Sequence, residues 1–206
     1  KMRIIPNGLD IDAIDRLRGE PPGHPWADGS HNLVVAVGRL CPQKGFDVLL
    51  EAFAPVAAAL PSTRLVVLGK GSDREDLVRQ AAALGIADRV DFPGWLPNPY
   101  ALLSRATVFA MSSRYEGFPN ALLEAMACCV PVVAADCPSG PSEILEGGVG
   151  ILVPMDNAKK LSDALRKVLQ DPALRDHLAR DGRRRVEERY SLDRMISAYE
   201  RLFEEV

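Results

Sequence analysis

The feature that most constrains this chain is a recurrence. Short apolar runs rich in β-branched residues alternate with longer stretches of helical periodicity. The runs are "NLVVAVG" (32–38), "RLVVLG" (64–69), "RVDFPG" (89–94), "TVFAMSS" (107–113), "PVVAAD" (131–136) and "GILVP" (150–154). Most lack the apolar–polar alternation of a strand with one wet face, which is the pattern of strands buried on both sides. Between them lie "GFDVLLEAFAPVAAAL" (45–60), "SDREDLVRQAAAL" (72–84), "NPYALLSRA" (98–106), "PNALLEAMACC" (119–129) and a helical turn at "PSEILEG" (141–147). Strand–helix alternation of this kind predicts an α/β fold, a doubly wound, Rossmann-like parallel sheet of about six strands.

The periodicity carries local expectations. Pro55 should kink the first long helix. Ser72 and Glu75 look like a cap and its capping box, and Pro119 suits a first helical position. Three helical segments, 157–170, 172–188 and 191–205, follow the last strand. The expected organisation is an entry segment and loop over 1–31, a sheet core over 32–154 and closing helices over 155–206. The start, "KMRIIPNGL", has no initiating Met and suggests a piece of a longer chain.

Composition narrows the function classes. A net charge of −3 speaks against a general nucleic-acid binder. No run of 18 apolar residues is present, so no membrane-spanning segment is expected. Cys41, Cys128, Cys129 and Cys137 lack metal-site spacing and read as reduced thiols of a cytoplasmic protein. His24 and His31 fall in the Pro/Gly-rich stretch 19–31 and read as solvated loop residues. The basic run "GRRRVEER" (182–189) reads first as a solvated helix face paired with Glu187 and Glu188, and second as a peripheral contact with an anionic membrane.

In doubly wound sheets ligands bind beyond the carboxyl ends of the strands, where the strand order reverses. The loops at that edge hold the chain's unusual residues. In "VGRLCPQKGF" (37–46), Gly38 lets a backbone approach a ligand, and Arg39 and Lys44 flank a tight loop before a helix. Two fixed cations beside a helix start suit a diphosphate. In "LGKGSDRE" (68–75), Gly69 stands at a strand exit, but the third glycine of a dinucleotide fingerprint is missing. In "RYEGFPNALLEAMA" (114–127), Glu116 precedes a helix and Glu124 lies within it. The first amides of that helix, at Asn120, Ala121 and Leu122, point toward an anion. Carboxylates accept paired hydrogen bonds from vicinal diols. Taken singly, either glutamate reads as a solvent-facing residue. Taken with Arg39 and Lys44, the pair suits a ribose and a hexose joined by a diphosphate.

At this point the chain resembles the C-terminal half of a retaining glycosyltransferase of family 4, of GT-B architecture. The residues carrying the resemblance are "PNGLD" (6–10), "VGRLCPQKG" (37–45), "LVVLGKGSDRE" (65–75), the stretch 92–136 and "SEILEGGVGILVP" (142–154). The pairing of Glu116 with Glu124 across seven residues is its most specific element. The resemblance implies that Arg39, Lys44 and Glu116 act at the reacting centre. Arg39 and Lys44 would hold the donor diphosphate, Glu116 the hexose hydroxyls and Glu124 the ribose. Gly38, Gly69 and the amides of Phe118, Asn120, Ala121 and Leu122 would meet the rest of the donor, and Trp95 and Leu96 its base. It implies a nucleotide-sugar donor such as a UDP-sugar, no metal, and a saccharide or lipid-linked acceptor. It also implies an N-terminal acceptor-binding domain in the same chain, without which this part would transfer nothing. A nucleotide-sugar epimerase of the same architecture and a non-enzymatic nucleotide-sugar-binding module are the rival expectations. "DCPSGPSEILE" (136–146) departs from the family's usual glycine pair at Ser139 to Ser142.

Overall fold

A computed structural model describes residues 4–204. Six strands form one parallel sheet: β1 (Asn32–Val37), β2 (Thr63–Leu68), β3 (Val90–Gly94), β4 (Val108–Met111), β5 (Val132–Asp136) and β6 (Ile151–Pro154). Their order is β3-β2-β1-β4-β5-β6. The chain winds outward from β1 to β3, then returns past β1 to lay down β4. The switch point therefore lies between β1 and β4, which pair through Val34 with Val108 and Val35 with Phe109.

The helices are α1 (Ile11–Leu17), α2 (Phe46–Ala59), α3 (Arg74–Ala83), α4 (Tyr100–Leu103), α5 (Asn120–Ala127), α6 (Pro141–Ile144), α7 (Ala158–Gln170), α8 (Pro172–Arg189) and α9 (Leu192–Glu204). Alternate residues of every strand but the edge strand β3 feed two separate cores, as a pleat requires; β3 supplies Val90 and Phe92 to one of them. Val34, Ala36, Leu65, Val67, Val108 and Ala110 pack with Leu49, Phe53 and Leu77 under α2, α3 and α7. Leu33, Val35, Val66, Phe109 and Ala134 pack with Leu102, Leu122, Met126 and Val186 under α4, α5 and α8. Both sheet faces are thus covered by this chain's own helices, which is why its strands can be apolar throughout.

Side chains start several helices. Asp10 accepts from the Ala13 amide at 2.8 Å, Asn157 from Lys160 at 2.9 Å and Asp171 from Leu174 at 3.0 Å, each satisfying an amide that the first helical turn leaves open. Pro55 falls inside α2, with Pro55 and Glu51 on the exposed face, where water can serve the freed carbonyl. Two helix starts differ from expectation. The N-cap of α3 is Asp73, whose side chain makes no capping bond and instead accepts from Ser72 Oγ at 2.8 Å. Pro119 is the N-cap of α5 rather than its first helical residue.

The expected solvated histidines are also corrected. His24 has a side chain only 5% exposed, and its Nε2 lies 2.9 Å from Asp91. His31 buries its Nδ1 without a hydrogen-bond partner among the described residues. The basic run divides: Arg184 and Arg189 are exposed with Glu187 and Glu188, and the expected pairing of Arg183 with Glu187 is present, whereas Arg183 and Arg185 also reach inward. Arg183 binds Asp15, Glu187 and the Ala127 carbonyl, and Arg185 donates to the carbonyls of Ile144 and Glu146. α9 is amphipathic but buries no residue among those described, leaving Ile196, Tyr199 and Phe203 exposed on one stripe. No helix among the described residues is long and apolar enough to cross a membrane.

Candidate functional site

The carboxyl ends of β1, β2, β3 and β4 open onto two adjoining cavities of about 520 and about 380 Å³ that share Val37, Gly38, Arg39 and Glu124. Their floor is laced by backbone bonds. Gly38 N–H donates to Leu68 O at 2.9 Å, Gly69 N–H to Gly94 O at 2.8 Å and Leu40 N–H to Lys70 O at 2.9 Å. Gly69 has a φ of +140°, and a Cβ there would overlap the Gly38 carbonyl. Its lack of a side chain therefore serves the strand ends as well as the cavity.

The larger cavity lies toward β3. Trp95, Leu96, Pro97 and Pro99 face Leu68, Gly69 and Lys70 across it. Trp95 is 63% exposed, unusual for so large a side chain. The smaller cavity lies over the switch point and carries the charges. Arg39 is exposed and makes no ion pair among the described residues. Lys44 and Glu116 are not independent of one another. Lys44 Nζ donates to both carboxylate oxygens of Glu116, at 2.7 and 2.9 Å, and Ser113 Oγ donates to one of them at 2.6 Å. Both members of the pair are largely buried, at 19% and 7% exposure.

Glu124 lines both cavities and has no cationic partner among the described residues. Burial pushes its carboxyl above the usual carboxylate range, and the nearby Tyr100 hydroxyl opposes this. Tyr100 in turn is pushed up to about 12, chiefly by burial and then by the Glu124 charge. A buried carboxylate without a cation is costly, so a ligand offering hydroxyl donors would find an acceptor in need of them.

The start of α5 is less open than its sequence suggests. The Asn120 amide donates to Phe118 O at 2.9 Å and the Leu122 amide to Pro119 O at 3.0 Å. Of the three amides, only that of Ala121 lacks a backbone acceptor among the described residues. The turn around Pro119 absorbs the others. Phe118, Asn120 and Ala121 line the smaller cavity. Leu122 does not; its side chain is fully buried in the core. Lys70, Gln43 and Tyr100 were missed in the sequence. Lys70 had a signal, since it stands between two glycines at a strand exit, and Gln43 lies within the same tight loop as Lys44.

The sequence pattern described as glycosyl transferases group 1 matches residues 25–185, which span all six strands and the cleft. The chain belongs to the group 1 glycosyl transferases. Among relatives of this family, the lipopolysaccharide core biosynthesis glycosyltransferase LpsE of Rhizobium meliloti is 32% identical over 97% of this chain and 56% of its own length. The GDP-mannose-dependent α-(1-6)-phosphatidylinositol monomannoside mannosyltransferase of Mycolicibacterium smegmatis is 33% identical over 82% of this chain and 47% of its own length. This group 1 chain spans about half the length of the curated relatives it matches. Its fold is shared with Anabaena Alr3699/HepE, solved in complex with UDP and glucose, at a TM-score of 0.86 and 23% identity over 99% of this chain and 57% of that one. It is shared also with a sucrose-phosphate synthase of Thermosynechococcus elongatus, at 0.81 and 27% over 98% and 52%. The Rossmann-like sheet expected of the GT-B class is thus the fold of this group 1 chain.

Proposed function

We propose that this chain is the donor-binding domain of a retaining, family-4 glycosyltransferase, which moves a hexosyl group from a nucleoside-diphosphate sugar, such as a UDP-sugar, to a saccharide or lipid-linked acceptor. The observation that carries this reading is the convergence of Arg39, Lys44, Glu116 and Glu124 on one continuous cleft across the switch point. The cleft is mainly apolar at one end, where a base would lie against Trp95 and Leu96. In the middle it is cationic, where Arg39 and Lys44 would meet the diphosphate. Glu124 would take the ribose hydroxyls where the two cavities meet, and Glu116 the hexose hydroxyls. Phe118, Asn120 and the Ala121 amide would line the sugar's side of the cleft.

The chemistry follows from charge. As the bond from the anomeric carbon to the phosphate oxygen breaks, negative charge grows on the leaving diphosphate. Fixed cations stabilise that charge best when they need not reorganise. Arg39 is available at once. Lys44 is held in place by Glu116, so a diphosphate would share an ammonium that is already positioned, while Glu116 would exchange part of that contact for sugar hydroxyls.

The names of relatives, which include a lipopolysaccharide core enzyme and a phosphatidylinositol mannoside enzyme, support a saccharide or lipid-linked acceptor. Action on the cytoplasmic side, in peripheral contact with the membrane, is part of the same proposal. An acceptor-binding domain would complete the cleft, and the exposed stripe of Ile196, Tyr199 and Phe203 on α9 offers it an apolar surface. The epimerase alternative is not favoured, since none of the three histidines lines either cavity.

The test is a thermal-shift panel of UDP-, GDP- and ADP-hexoses. One nucleotide class should raise the melting temperature, and the shift should shrink in both Arg39→Ala and Glu124→Ala. A shift unchanged in both variants would refute the site.

A further inference from the structure

Lys44 and Glu116 stand 72 positions apart in the chain, on two loops that leave neighbouring strands. Their relative placement must be fixed by something other than their own contact. Gln43 and Ser112 each make one side-chain bond between the loops, and Arg114 makes several. The Arg114 guanidinium uses all three of its nitrogens, on three separate segments. Nη1 donates to Pro42 O at 2.7 Å and to Asp47 Oδ1 at 3.1 Å, Nη2 to Asp47 Oδ2 at 2.7 Å, and Nε to Asp156 Oδ1 at 2.8 Å. The Arg114 amide donates to Gln43 O at 2.8 Å, and Gln43 Nε2 returns a bond to Tyr115 O at 2.9 Å. Pro42 and Asp47 bracket the turn that carries Lys44. Arg114 lies two residues before Glu116 and next to Ser113, which holds the Glu116 carboxylate. Yet Arg114 lines neither donor cavity.

We propose that Arg114 is a positioning residue for the donor site: its fork ties the β1–α2 turn to the β4–α5 loop and so sets the Lys44–Glu116 contact across the switch point. This rests on the donor-site reading above. Ser112 Oγ, which donates to Lys44 O at 2.9 Å, restrains the far side of the turn. Arg114 restrains the near side and the helix that follows. A planar fork is needed for this, because one ammonium cannot reach a carbonyl and two carboxylates on three segments with fixed geometry. The charge balance agrees. Burial opposes ionisation of Asp47, but the hydrogen bonds and charge of Arg114 outweigh it and hold the carboxyl below its usual range.

The test uses Arg114→Ala and Arg114→Lys in this chain, whose two cores are its own. The first readout needs no ligand. Amide exchange at Lys44 and Gly45 should quicken by about tenfold in both variants while the β1 amides keep their protection, because only a local opening is made easier. Unchanged exchange at Lys44 and Gly45 would overturn the proposal, as would a uniform rise across β1. The second readout is UDP affinity in a double-mutant cycle with Lys44→Ala. Arg114→Ala should weaken UDP by about tenfold in the parent and have little further effect where Lys44 is already absent, as expected of residues acting through one another. A neutral Arg114→Ala, or a loss fully additive with Lys44→Ala, would overturn it. If the parent chain binds no UDP, the donor reading fails, and the exchange measurement still decides the role of Arg114.

Discussion

Replacing Glu124 by glutamine should stabilise the protein and weaken its ligand at the same time. The side chain lies between the two cavities with no cation beside it among the described residues, and burial raises its carboxyl above the ordinary range. The folded state therefore binds a proton more readily there than the unfolded chain does. Any stability from this group is fully present below the unfolded value, about 4.3. It is lost as the pH rises through the folded value. At neutral pH the carboxylate is a liability in the free protein, and glutamine removes it. The melting temperature of Glu124→Gln should thus exceed that of the parent at about pH 7.5, and the difference should close as the pH falls toward about 4. For the ligand the sign reverses. Two charge-assisted bonds to a ribose diol become neutral ones, each weaker by about 1 kcal/mol. The sum, about 2 kcal/mol, corresponds to a UDP dissociation constant about thirtyfold higher. Calorimetric melting across pH and isothermal titration with UDP measure the two halves. A glutamine variant less stable at every pH, or one that binds UDP as tightly as the parent, would refute the reasoning.

Other consequences are local. Gly45 sits at φ +60°, and a Cβ there would overlap the Ser112 carbonyl; Gly45→Ala should lose at least about 2 kcal/mol in urea unfolding, and a parent-like midpoint would contradict the close approach of the two loops. Arg183 is 15% exposed and pairs with Asp15, whose carboxyl is lowered mainly by that hydrogen bond. A lowered carboxyl contributes stability above its unfolded value and loses it as the pH falls through the folded one, so the stability gap between parent and Arg183→Ala should narrow below about pH 4. Because Arg39 is exposed, UDP binding should weaken with added salt, and this dependence should flatten in Arg39→Ala, as paired titrations at two ionic strengths would show.

The fold was legible because its strands are buried on both faces. Runs such as 32–38 and 64–69 have no polar alternation to confuse them, and the helices between them have clear apolar faces. The cleft was legible for a related reason, since the strand exits are where Gly38, Arg39 and Glu116 had to fall. What the sequence hid were matters of partnership. Nothing local says that Lys44 grips Glu116, or that Arg114 reaches Asp47 and Asp156, because those partners are brought together only by the sheet order. Pro119 looked like a first helical residue, yet the turn from Phe118 moves it to the cap and uses up the Asn120 and Leu122 amides. His24 sat in a Pro/Gly-rich stretch that reads as surface, but the stretch folds back so that its imidazole meets Asp91 on β3. Local composition gives exposure only when no distant segment covers the loop.

The central claim is that one cleft across the β1–β4 switch point holds a nucleoside-diphosphate sugar from end to end. The most direct measurement is a crystal structure of this chain with a UDP-hexose. The account predicts the base beside Trp95 and Leu96, the pyrophosphate between Arg39 and Lys44, the ribose diol on Glu124 and the hexose against Glu116. A ligand bound outside these two cavities, or lying within them with its diphosphate remote from both cations, would contradict it.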